Sequence, residues 1–165
     1  MNPYCVVVAN GARARFFTLE TAEFPGVESG PNLVEHDDII NPQQESLDRE
    51  LWSDIKPGRT RAPNGGPTHG YDDHRSQHLD EFERRFARSI AQESAQLAQT
   101  HKAKHIVLVA QKRMLGFLRS TLRPLLKAGV RVNELAKDLS KLPPQELHEH
   151  LAREQLIPPR RHPTA

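Results

Sequence analysis

Apolar runs and their spacing divide the first part of the chain into strands. Tyr4–Ala9 is almost wholly apolar, which favours a buried strand. The dipeptide Asn10-Gly11 follows it and supplies the positive φ angles of a tight hairpin. Arg13–Leu19 then predicts a second strand. Asn32–Ile40 predicts a third, whose charged residues suit the edge of a sheet.

The second part of the chain alternates helical and strand patterns. A helix is predicted from about Asp73 to Thr100, because its apolar residues recur at helical spacings and form one face. These residues are Leu79, Phe82, Phe86, Ile90 and Leu97. His105–Ala110 is a continuous apolar run typical of a strand buried on both faces. Three further elements are predicted: a helix over Arg113–Lys127 that Pro124 distorts, an edge strand over Val130–Leu135, and a helix over Pro143–Glu154.

This order of elements predicts an α/β fold with three layers. A three-stranded meander followed by right-handed crossovers gives a mixed five-stranded sheet with helices on both faces. The expected strand order is 3-2-1-4-5, the ribonuclease-H-like arrangement, in which strand one lies parallel to strand four. We expect a single domain over residues 1–157, with a long mobile loop at 41–71 and a disordered tail at 158–165.

The stretch Ile55–Tyr71 joins the two halves of the chain. It contains three prolines, four glycines and few apolar side chains, so it is not expected to form a buried regular element. We expect a cationic loop that presents backbone and charge to an anionic partner. Its candidate contacts are Arg59, Arg61, Gly65 and Gly66, with Arg75 in the helix that follows.

Charge is segregated along the chain although the net charge is only +2. Residues 20–54 contain ten acidic side chains and one basic one, whereas the rest of the chain has 22 basic and 11 acidic side chains. Such segregation indicates an electropositive face for a polyanion such as RNA. The alternative is that the acidic part packs against the basic part of the same molecule.

A second candidate contact lies where the strand order is expected to reverse. There the carboxyl ends of strands one and four open a crevice, and a helix begins beside it. Asn10, Arg13, Lys112 and Arg113 are predicted to meet at this corner, where the free amides of the helix start favour a phosphate. The alternative is ordinary hairpin and helix-start chemistry.

Catalytic patterns are weak. Predicted strands one and four have no carboxylates, which argues against metal-dependent cleavage of nucleic acid. His74 and His78, four residues apart with His69 nearby, have a spacing that can hold zinc or nickel, but solvated polar residues at a helix start explain it as well. No catalytic residue and no cofactor is predicted, and a small metal-dependent hydrolase remains an alternative.

The location of the protein is predicted from what the sequence lacks. It has no 18-residue apolar run to span a membrane and no basic, apolar N-terminal segment typical of a signal peptide. The single Cys5 lies in an apolar run, which predicts a buried, unreactive thiol. We therefore expect a cytoplasmic protein.

Several segments together resemble the host attachment protein family of bacteria. The segments are Val6–Phe17, Phe82–Arg88, Ile106–Ala110, Met114–Arg119 and Val132–Leu139. The likeness extends over roughly residues 4–153. It implies a role connected with bacterial attachment to host cells, without specifying a biochemical activity.

This family is grouped with proteins similar to the middle domain of eukaryotic-type peptide-chain release factors. That domain has a Gly-Gly-Gln loop before a long basic helix, and the loop enters the ribosomal peptidyl-transferase centre. Here the corresponding segment reads Asn64-Gly-Gly-Pro67, so Pro67 replaces the glutamine. The resemblance therefore implies a ribosome, tRNA or other RNA partner without peptidyl-tRNA hydrolysis. A second hypothesis is a protein-interaction factor that acts indirectly in attachment.

Overall fold

The computed structural model describes residues 3–41 and 68–163, with the side chains of the long helix described from residue 80 onward. Within these ranges the chain forms six strands and three α-helices. In chain order they are β1 (Tyr4–Ala9), β2 (Arg13–Glu20), β3 (Asn32–Glu35), β4 (Ile39–Ile40), α1 (Thr68–Thr100), β5 (His105–Ala110), α2 (Lys112–Leu122), β6 (Arg131–Ala136) and α3 (Pro144–Arg153).

The strands form one mixed sheet, as the sequence predicted. Its main path runs β3-β2-β1-β5-β6, and β4 pairs separately with β2. The β1–β2 pair is antiparallel, whereas β1 is parallel to β5, with Val6 opposite Val107. The predicted parallel pairing of the first strand with His105–Ala110 is therefore confirmed. β6 extends the sheet in parallel beyond β5.

The sheet has six strands instead of five because the predicted strand Asn32–Ile40 is broken. β3 pairs with β2 up to Glu35 opposite Phe17, and pairing resumes with Ile39 opposite Ala14. Three residues on the outer strand thus face two residues on β2, the arrangement of a bulge. The interruption contains Asp38, which forms an ion pair with Arg13 at the sheet margin.

The hairpin between β1 and β2 also differs from the prediction. Neither Asn10 nor Gly11 adopts a positive φ angle. Instead, Asn10 Oδ1 accepts hydrogen bonds from the amides of Ala12 and Arg13, both at 2.8 Å. The side chain satisfies the turn's backbone donors, so the loop needs no left-handed residue.

Helices cover both faces of the sheet and give two hydrophobic clusters. On one face, Val7 and Leu108 pack with residues of α1 and α2, such as Ile90. On the other face, Val6 and Val107 belong to the cluster that includes Leu147 and Leu151 of α3. The predicted burial of Cys5 is confirmed, and burial raises the pKa of its thiol to about 12.

Helix limits follow local backbone chemistry. α1 begins at Thr68 and not near Asp73, so the last residues of the predicted 41–71 loop are helical. α2 ends at Leu122 and gives way to a 3-10 turn over Arg123–Leu125. The distortion predicted at Pro124 is confirmed, since proline has no amide hydrogen for the α-helical bond. No helix in the described ranges is long and apolar enough to cross a bilayer.

The C-terminal segment contacts the first part of the chain. Arg161 exchanges two backbone hydrogen bonds with Gly30, at 3.1 and 2.8 Å. Ile157 is buried against the α3 side of the sheet, and Arg160 Nε donates to Asn32 Oδ1 at 2.8 Å. The sequence predicted a disordered tail at 158–165, and in the structure Arg160 and Arg161 of this segment form hydrogen bonds with Asn32 and Gly30.

Candidate anion-binding surface

The predicted corner forms at the end of the sheet where β1 and β5 finish. β1 leads into the Asn10–Arg13 hairpin, and β5 leads through Gln111 into α2. Glu83 of α1 connects the two sides. Its Oε1 lies 3.8 Å from where a Cβ on Gly11 would be, and its Oε2 lies 3.2 Å from Arg113 Nε.

Asn10 lies at this corner, but its side chain serves the hairpin. Its Oδ1 accepts the two backbone bonds described above, and its Nδ2 donates to Ser140 Oγ at 3.1 Å. Ser140 in turn donates to Asp138 Oδ1 at 2.5 Å. The amide therefore fixes the hairpin against the loop after β6.

Both arginines of the corner are engaged by carboxylates. Arg13 pairs with Asp38, while Arg113 pairs with Asp80 and Glu83 of α1. Burial raises the pKa of Glu83. An incoming phosphate would have to displace these carboxylates, so neither arginine is free to bind an anion without breaking an ion pair.

Of the four predicted corner residues, Lys112 is the cationic one that has no carboxylate partner among the described residues. It is exposed at the start of α2, and within the described residues its ammonium has no carboxylate partner. The N-cap residue Gln111 makes no side-chain hydrogen bond to the helix start. The first amides of α2 therefore remain available beside Lys112.

A group of arginines on α1, absent from the predicted site residues, extends the surface. Arg84, Arg85 and Arg88 line an open hollow of about 560 Å³ together with Asp80 and Glu81. Arg85 pairs with Glu81 at 2.5 Å. Arg84 and Arg88 have no carboxylate partner within the described part of the chain.

Arg84 is held in place by an aromatic ring of α2. Its guanidinium carbon lies 5.4 Å from the centre of the Phe117 ring. One turn earlier on each helix, Arg113 of α2 pairs with Asp80 of α1. The two contacts are therefore four residues apart on both helices and lie along the interface between them. Arg88 lies one turn beyond Arg84. The sequence signal for this row is the four-residue spacing of Arg84 and Arg88.

The other predicted residues cannot be placed against this surface. Arg59, Arg61, Gly65 and Gly66 lie outside the described residues. Four more predicted residues belong to α1, but their side chains are not among those that the structure describes. They are Arg75, His69, His74 and His78. Within the residues that the structure describes, no group of three His, Cys, Asp or Glu side chains fits a metal ion.

Comparison with protein families gives a match over most of the chain. Residues 5–151 match the family described as "Protein required for attachment to host cells". The chain belongs to the host attachment family. The match covers every described strand and helix except Tyr4 of β1 and the end of α3, so the family resemblance seen in the sequence is confirmed. Among curated protein sequences, none matches this family member.

Solved structures give only distant likenesses to this host attachment protein. One is an archaeal protein with 12% identity and a TM-score of 0.41, covering 94% of this chain and 35% of the other. An archaeal translation termination factor has 12% identity and a TM-score of 0.39, covering 93% and 39%. An Aquifex aeolicus member of the Ppx/GppA family has 11% identity and a TM-score of 0.40, covering 92% and 39%. The chain spans about two fifths or less of each of these structures, and likeness at this level supports no partner or activity.

Proposed function

We propose that this host attachment protein is a cytoplasmic, non-catalytic RNA-binding protein that engages the ribosome, tRNA or another RNA. The binding surface combines the arginine row of α1, Lys112 with the start of α2, and the basic loop that precedes α1. In this proposal the sheet is of the ribonuclease-H-like type, used as a scaffold without catalytic carboxylates.

The observation that supports the proposal is the pair Arg84 and Arg88. Each is an arginine on the outer side of the longest described helix, with no carboxylate partner among the described residues. Arginine suits phosphate because its planar guanidinium presents several donors in a fixed geometry. Two such groups one helical turn apart provide successive contacts for a phosphate backbone.

The stack of Arg84 on Phe117 strengthens this argument. A ring face holds the guanidinium in one orientation, which lowers the conformational entropy lost when an anion binds. Arg84 has no carboxylate partner among the described residues, so its N–H groups are available for oxygen acceptors. Arg84 is thus a pre-oriented hydrogen-bond donor to phosphate.

In this proposal the basic loop, which precedes α1 in the sequence, extends the surface. Arg59 and Arg61 precede Thr68, where α1 begins, and the arginine row lies further along the same helix. Single-stranded RNA contacting the loop has the exposed side of α1 as its continuing path. Its phosphates supply affinity that depends on salt but little on sequence.

The test is fluorescence anisotropy with a labelled single-stranded RNA at several salt concentrations. The double variant Arg84→Gln, Arg88→Gln is expected to bind more weakly at every salt concentration. Its slope of log affinity against log salt should be shallower by about 0.7 for each phosphate that the variant no longer neutralises. In cell lysate, the wild-type protein should co-migrate with ribosomal particles on a sucrose gradient and dissociate at high salt.

Arg153→Gln with Arg161→Gln provides the charge-matched control, since both are exposed arginines away from α1: Arg153 is on α3, across the sheet, and Arg161 is in the C-terminal segment. This control should retain wild-type affinity and slope. Equal losses in the control and the double variant would indicate non-specific attraction by net charge. Wild-type affinity in the double variant would reject the α1 surface.

A further inference from the structure

A separate pocket opens at the opposite end of the sheet, where β5 and β6 begin. It is a cavity of about 360 Å³ between the end of α1 and the segment that joins α2 to β6. Its apolar wall includes Ala98, Ala103 and Leu126, while Lys102, Lys104 and Lys127 stand at its polar side. This volume lies within the range of small-molecule sites.

The pocket exists because small residues and bent backbone leave space there. α1 presents Ala98 to the pocket where a larger side chain would fill it. Lys102 and Gly129 have φ angles of 52° and 93°, so the chain turns sharply on both sides of the opening. The cavity is therefore defined by the fold itself and not by one flexible side chain.

The charges around the pocket are of one sign. Lys102, Lys104 and Lys127 are exposed, and none has a carboxylate partner within the described ranges. No Asp or Glu among the described residues lines the cavity. The nearby end of α1 is capped, since the Ala98 carbonyl accepts a hydrogen bond from the Ala103 amide at 2.8 Å. Three lysines thus line the cavity without a carboxylate partner among the described residues.

We propose that this pocket binds a monocarboxylate with a medium-length alkyl chain. The alanine and leucine wall favours an apolar body, because each methylene group removed from water adds affinity. The lysines favour an anionic head, which their flexible ammonium groups reach as point charges. The site is independent of the RNA-binding surface, which lies at the other end of the sheet.

Isothermal titration with octanoate tests the proposal, with acetate and octan-1-ol as paired probes. Octanoate is expected to bind saturably at one site per chain. Acetate lacks the alkyl chain and should bind at least about tenfold more weakly, because it buries far less apolar surface. Octan-1-ol lacks the charge and should bind about threefold to tenfold more weakly. In NMR spectra, octanoate should shift the amide signals of Ala103 and Gly129.

Two variants separate the apolar wall from the charges. Ala98→Leu is expected to fill the cavity and abolish octanoate binding, and Lys102→Gln with Lys127→Gln should weaken it by about threefold to tenfold while leaving the core untouched. Lys141→Gln is the control, an exposed lysine outside the pocket lining, and it should bind octanoate as the wild type does. Absence of saturable octanoate binding, or equal affinity for octanoate and octan-1-ol, would overturn the proposal whether or not Ala98→Leu folds.

Discussion

Arg15 illustrates how a charged residue becomes part of the core. It lies on β2 and is only 6% exposed, and its guanidinium donates to both carboxylate oxygens of Glu35 at 3.0 and 2.8 Å. It also donates to the carbonyl oxygens of Ser140 and Leu142 at 3.1 and 2.6 Å. The hydrogen bond from Arg15 lowers the pKa of Glu35. Such a buried arginine is stable because its donors are satisfied.

His148 is a buried histidine whose two nitrogens differ in their surroundings. Its Nε2 donates to the Pro158 carbonyl at 2.8 Å, because a carbonyl can only accept. Its Nδ1 is buried and has no hydrogen-bond partner among the described residues. Burial lowers the pKa of His148, against the opposing effect of the Pro158 hydrogen bond.

Stability is expected to depend on the protonation of His148. A pKa lower in the folded chain than in the unfolded chain means that the unfolded chain takes up the proton first. The free energy of unfolding should therefore fall as the pH drops below about 6.5. His148→Gln can keep a donor near Pro158 but cannot titrate, so its loss of stability between about pH 7.5 and 5.5 should be smaller. Urea unfolding at both pH values measures the difference.

His150→Gln is the control for this prediction, because His150 is on the same helix but only partly buried. The pH profile of His150→Gln measures how much of any change comes from removing a histidine of α3 as such. Parallel pH profiles for His148→Gln and the wild type would show that His148 does not contribute. The lowered pKa of Glu35 affects stability over a different pH range, since the stabilisation that it contributes is lost only at more acidic pH.

Among the elements, the C-terminal segment depends on a close approach at Gly30. A Cβ added to Gly30 would lie 2.8 Å from Ala22 Cβ and 2.9 Å from Ala22 N, too close for either to stay in place. Gly30→Ala should therefore lower the free energy of unfolding by about 1–3 kcal/mol. It should also speed amide exchange at Arg161, which pairs with Gly30.

Gly26→Ala is the matched change, since nothing among the described residues lies within 4 Å of a Cβ at that position. It should be neutral or slightly stabilising, because alanine restricts the unfolded chain more than glycine does. Urea unfolding and hydrogen exchange of both variants check the contrast. Equal stability of the two variants would contradict the close packing of Gly30.

Elements that depend on local pattern were predictable, and those that depend on distant partners were not. The apolar runs Tyr4–Ala9 and His105–Ala110 were predicted with the limits that the structure gives. The break after Glu35 depends on pairing with β2, and the order of the C-terminal segment depends on Gly30. Neither partner is visible in the local sequence of the segment concerned.

The candidate site likewise has a part that was predictable from the sequence and a part that was not. The location of Arg13 and Lys112 at the same end of the sheet followed from strand order, which topology rules supply. The carboxylates of Asp38 and Asp80 that engage Arg13 and Arg113 depend on side-chain contacts between separate elements. The stack of an arginine on Phe117 likewise depends on the register of two helices.

At the scale of the whole molecule, the segregated charges are partly paired across elements. Within the described residues, Asp38 and Glu35 of the acidic stretch form ion pairs with Arg13 and Arg15 of β2. This packing is the alternative to a free electropositive face. Such packing occurs near the hairpin, whereas Arg84 and Arg88 of α1 have no carboxylate partner among the described residues. Pairing within the molecule therefore accounts for the acidic residues near the hairpin, and the electropositive face on α1 stays a prediction.

Asp38→Asn tests whether Arg13 can bind RNA once its carboxylate partner is removed. The change removes the carboxylate that engages Arg13, whose side chain is 48% exposed. Because an exposed ion pair contributes only about 0.2–1 kcal/mol, stability should change little. A freed Arg13 adds a cation to the proposed RNA-binding surface, so affinity for single-stranded RNA should rise and the salt slope should steepen by about 0.7.

Glu154→Gln is the control for this change, because it removes one negative charge from the ion pair with Lys137 at the α3 side of the molecule. Both variants raise the net charge by the same amount, so long-range attraction changes equally in both. Only Asp38→Asn frees a cation at the hairpin. A steeper slope in Asp38→Asn alone would place RNA at the hairpin corner. Equal slopes in the two variants would restrict RNA to α1 and the basic loop, and would leave Arg13 as a structural residue that fixes the broken edge of the sheet.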